Sequence, residues 1–101
     1  MTDDEQKEFQ RRCAAFSAIE EAAILAAIDK MNEVLPELRP DERTQELTTA
    51  LVAGAWRTLL MANTKQETPY SNEQMREIFI EKYVTRFVEN SPTLPENISL
   101  N

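Results

Sequence analysis

From Asp3 to Leu35 the chain contains neither proline nor glycine. These two residues most often stop a helix, one by removing a donor and clashing, the other by its backbone entropy. Thr2 with Glu5 three positions on reads as a capping box, and Asp3, Asp4 and Glu5 set negative charge on the positive end of the helix dipole. Apolar side chains then recur at three- and four-residue intervals: Phe9, Cys13, Phe16, Ala23, Ile24, Ala27, Ile28, Met31, Val34 and Leu35. The spacing predicts a helix over 3–35, closed by Pro36. At 1.5 Å per residue it would be about 50 Å long. A compact domain of about 100 residues has a radius of gyration of only about 13 Å. Such a helix must either bend or run past its own domain and meet a partner.

The remainder is read in the same way. Gly54 is the only glycine, and sheets need many tight turns that glycine makes possible. A second helix is expected over 40–63, with Pro40 in its first turn followed by Asp41 and Glu42. A third is expected over 71–90, opened by a capping box of Ser71 and Gln74 and barred from continuing by Pro92. The fold class expected is all-α: a three-helix bundle with a long N-terminal helix and a short irregular C-terminal tail. Residues 1–91 would form a single helical domain and 92–101 the tail. The side chains expected to be mostly buried in the assembled protein are Phe16, Ile24, Ile28, Leu51, Trp56, Leu59, Phe79, Tyr83 and Phe87.

Charge and cysteine usage exclude several classes. Eighteen acidic and 11 basic residues give a net charge of −7. That sign argues against direct nucleic-acid binding and against docking on anionic lipid. More than half of the charge lies in residues 1–35, which hold eight acids and four bases. Cys13 is the only cysteine, so no intrachain disulfide forms, and its place on the apolar stripe reads as a small core residue. The sequence MTDDEQKEF lacks the basic start and apolar run of a secretion signal. No apolar stretch approaches the roughly 20 residues of a membrane span. A cytoplasmic protein is expected.

A few residues depart from simple helix chemistry. Glu20 falls in the middle of the first helix's apolar stripe, where a carboxylate is costly unless paired or hydrogen-bonded. In a dimer of this helix, two Glu20 side chains would approach each other. An antiparallel or staggered crossing is therefore expected, with Arg12, Lys30 or Arg76 near Glu20. Candidate interface residues are Phe9, Phe16, Glu20, Met31, Leu35, Trp56, Leu60 and Arg76, since an uncovered first helix would expose Phe9 and Phe16 at one end or Met31 and Leu35 at the other. Glu73, Glu77 and Glu81 form a carboxylate ridge at four-residue spacing, a candidate acidic surface.

Catalysis is not expected. The chain has no histidine, no glycine-rich phosphate loop, no cysteine pair and no serine-centred motif, which removes most acid–base and nucleophilic schemes. No cofactor and no metal site is expected. The leading expectation is a small acidic helical protein–protein interaction module that acts as a homodimer on another protein. The alternative, by analogy of size and charge, is an inhibitor or immunity-type protein of phage or mobile-element style, blocking a basic nucleic-acid-handling partner. A further alternative is a small-molecule-binding helical bundle.

Overall fold

The computed structural model describes residues 2–90. Among them the fold is all-α, with three helical runs and no strand. The tail expected over 92–101 lies outside the described residues. By compactness the described residues fall into two units, 2–47 and 48–90.

The first unit holds helix α1, Asp3–Val34, and the start of helix α2, Pro40–Thr64. α1 is unbroken over 32 residues. Thr2 caps it by accepting a hydrogen bond from the Glu5 N–H at 3.2 Å. Its last turn closes with the Leu35 N–H donating to the Met31 carbonyl, 2.8 Å, before Pro36 forbids continuation. α2 lacks a Ser or Thr cap. Instead the Glu42 carboxylate reaches back to the Arg39 N–H, 3.0 Å, so that the acid half of a capping box works alone. The Arg43 guanidinium donates to Asn32 Oδ1, joining the start of α2 to the end of α1. The buried apolar residues of this unit are Ile28, Met31 and Leu47.

The second unit holds the rest of α2 and the third helical run. Asn63, near the end of α2, is buried and bonds both backbone groups of Tyr70: it donates to the carbonyl at 3.1 Å and accepts from the N–H at 3.0 Å. This closes the connection between the helices without a glycine. Ser71 and Gln74 then form the expected capping box, at 3.2 and 2.9 Å. Met75, in the first turn beyond it, is only 2% exposed.

The third run departs from the uninterrupted α-helix expected over 71–90. It starts as α-helix α3, Asn72–Ile78, passes through a π-helical stretch, Phe79–Thr85, and ends as α-helix α4, Arg86–Asn90. The apolar rows Met75, Phe79, Tyr83, Phe87 and Ile80, Val84, Val88 repeat at strict four-residue spacing. In an α-helix of 3.6 residues per turn such rows wind around the axis. The wider i→i+5 turn under-winds the helix and draws them back toward one face.

The burial expected from periodicity holds only in part for the single chain. Ile28 is buried, while Ile24, Leu51, Trp56, Leu59 and Phe79 are half-buried. Phe16, Tyr83 and Phe87 are exposed. Periodicity shows which face of a helix is apolar, not what covers it.

Candidate functional site

The largest group of uncovered apolar side chains in the first unit lies on the N-terminal part of α1. From Thr2 to Glu20 every residue is exposed except Glu8, which is half-buried. Phe9 is 59% exposed, Phe16 50% and Ile19 70%. Ile19 lies outside the single stripe through Cys13 and Glu20. A second stripe of the same 3–4 spacing, Phe9, Arg12, Phe16, Ile19 and Ala23, overlaps the one through Cys13 and Glu20. Both run through Phe9, Phe16 and Ala23.

The charges on this segment are arranged locally. Glu8 accepts from the Arg11 guanidinium at 2.7 and 2.9 Å and from Arg12 Nε at 2.9 Å. These bonds, Arg11 first and Arg12 next, hold the Glu8 carboxyl below the ordinary glutamate range. Glu20 is exposed and makes no ion pair among the described residues, so the desolvation cost expected of it does not arise in the single chain. Lys30 pairs with Glu33 at 3.3 Å. Of the two ends of α1, the N-terminal one is uncovered: Met31 is buried and Leu35 half-buried, whereas Phe9 and Phe16 are exposed.

The second unit offers a different surface. Trp56 and Phe79 meet edge to face, with ring centroids 5.3 Å apart and planes at 64°. Open grooves flank the pair. One, of about 280 Å³, is lined by Trp56, Arg76, Phe79 and Ile80. The other, of about 450 Å³, runs past Thr48, Val52 and Ala53. Arg76 is exposed and makes no ion pair among the described residues. Leu60 is half-buried on α2. Glu73, Glu77 and Glu81 are all exposed, the first two on α3 and the third in the π-helical stretch, which takes it out of strict α-helical line with the others.

The first surface thus exposes two phenylalanines beside a cluster of charges, and the second is an apolar groove around two half-buried aromatics. No group of three or more His, Cys, Asp and Glu side chains placed to hold a metal occurs among the described residues. No helix among them is long and apolar enough to cross a membrane. Comparison with protein-family profiles, with curated proteins and with solved structures finds no match to this chain.

Proposed function

We propose that the protein is a non-catalytic interaction module that pairs with a second copy through the N-terminal part of α1 and, as a homodimer, engages another protein. The observation that carries this reading is the exposure of Phe9, Phe16 and Ile19 on an unbroken helix. Exposed apolar area of this kind is normally a partner site, and two-fold pairing is the commonest way for one patch to be covered by its own copy. The groove lined by Trp56 and Arg76 is the surface offered to the other protein, since Trp and Arg are enriched where binding energy concentrates.

Sedimentation equilibrium of the full chain from nanomolar to micromolar concentration tests the first step. A concentration-dependent dimer is expected, and a monomer of 11.6 kDa throughout overturns the reading. Capture of partner proteins across a salt series tests the second. An apolar interface survives added salt, whereas capture lost at moderate salt would point to an acidic blocking surface instead.

A further inference from the structure

The arrangement of residues around Phe16 specifies how two copies of α1 meet. Taking positions equidistant from Phe16 in both directions, each pair is complementary. Four residues away stand Arg12 and Glu20, of opposite charge. Three away stand Cys13 and Ile19, both apolar, and seven away stand Phe9 and Ala23, one large and one small. Every residue from Cys13 to Glu20 is exposed, as are Phe9, Arg12 and Ala23.

At 100° per residue, Phe9, Arg12, Cys13, Phe16, Ile19, Glu20 and Ala23 lie on one side of α1, within about 60° of Phe16. In an antiparallel pair whose two-fold axis passes at Phe16, each residue lies level with its equidistant counterpart on the other copy. Arg12 then meets Glu20 of the second copy twice, and Phe9 packs over Ala23. A parallel in-register pair would set Arg12 on Arg12 and Glu20 on Glu20, which is repulsive at both levels. Arg12 is already paired with Glu8 of its own helix, but that bridge is exposed and held weakly enough to be exchanged. Phe16 keeps half of its surface open whatever it touches within its own chain.

We propose that α1 forms an antiparallel two-fold pair with a second copy of this chain, in the register that centres on Phe16 and joins Arg12 to Glu20 across the interface. This rests on the homodimer reading above and adds its geometry. The occupant of the apolar face is thus the same face of another copy, chosen by charge as well as by shape.

Two measurements on the full chain test it. The first is a charge exchange. Arg12→Glu and Glu20→Arg each set like charges together at two places per dimer, and each is expected to weaken dimerisation by about tenfold or more. The double variant Arg12→Glu/Glu20→Arg restores the pairing and is expected to return the dissociation constant to near its original value. If Arg12 served only its intrahelical bridge to Glu8, the double variant would stay as weak as Arg12→Glu, and the register would be overturned.

The second uses disulfide trapping in a Cys13→Ser background. In the proposed register two Phe9 positions lie about 21 Å apart along the axis, far beyond disulfide reach. Phe9→Cys alone and Ala23→Cys alone are therefore expected to give no covalent dimer. An equimolar mixture of the two, allowed to exchange subunits, is expected to give one. Covalent dimers from both single variants would show parallel pairing, and from one alone an antiparallel pair centred at that residue; either result overturns the register. A dimer by sedimentation with no trapping in the mixture would overturn the register while leaving the homodimer reading intact. A monomer by sedimentation would remove both.

Discussion

The N-terminal part of α1 and the joint between α2 and α3 follow opposite rules. Residues 2–20 include two phenylalanines and an isoleucine, yet all of them except Glu8 are exposed. The joint from Asn63 to Met75 has an asparagine at its centre, yet Asn63 is buried and Met75 is the least exposed residue described. The α1 segment has apolar side chains without a cover. The joint has a polar group whose partners are all supplied: both amide atoms of Asn63 are bonded to Tyr70, and no buried side-chain nitrogen or oxygen among the described residues lacks a partner. Order in the joint comes from bonding its buried polar group, which the chain does alone. The face of α1 has no comparable closure among the described residues.

If that contrast is right, the largest loss of stability comes from the joint. Met75→Ala is expected to destabilise the chain by about 2–5 kcal/mol in urea unfolding, because a nearly fully buried side chain leaves a cavity. Asn63→Ala should follow at about 1–3 kcal/mol, since it strands both backbone groups of Tyr70. If Asn63→Ala unfolded at the same urea midpoint as the unmutated chain, the joint would not depend on that closure.

Ile19→Ala gives the reverse pattern. At concentrations where the chain is monomeric its unfolding free energy is expected to move by no more than about 0.5 kcal/mol, because an exposed side chain loses little and alanine is the better helix former. Its dimerisation, read by sedimentation, should weaken by about tenfold or more, in line with about 1.4 kcal/mol for part of a lost apolar contact. Equal effects on stability and association would mean that Ile19 is covered within its own chain.

The contrast also marks where the amino-acid sequence was readable. Helix boundaries were: the expected 3–35, 40–63 and 71–90 compare with Asp3–Val34, Pro40–Thr64 and the run from Asn72 to Asn90. Caps and prolines are local chemistry, and the Ser71–Gln74 capping box formed as expected. Burial was less readable, because Phe16, Tyr83 and Phe87 sit on apolar stripes whose cover is a tertiary matter. The π-helical stretch had a signal, the strict four-residue spacing of Met75, Phe79, Tyr83 and Phe87, but the same spacing also suits an ordinary helix stripe. Glu20 lies on one of two overlapping stripes, and only the second, through Arg12 and Ile19, sets a residue of opposite charge at the matching distance on the other side of Phe16.

The smallest expected effect probes how far the exposed part of α1 is held by its own charges. Glu8 is bonded by Arg11 and Arg12, and its carboxyl is held below the ordinary glutamate range. A carboxyl whose pKa is lower in the folded than in the unfolded chain stabilises the fold above its unfolded pKa. That contribution is lost as the pH falls through the folded value. Helix content of the N-terminal part of α1 should therefore decline slightly on acidification through and below the glutamate range, and Glu8→Gln should remove that component at every pH. The measurement is the difference between the two proteins in amide hydrogen exchange over residues 8–12. Because the cluster is solvent-exposed, the difference should shrink as salt is raised from 0.01 to about 0.15 M, where the screening length falls to about 8 Å. A difference that persisted at high salt would show that these charges are covered, and the segment would then belong with the joint rather than opposite it.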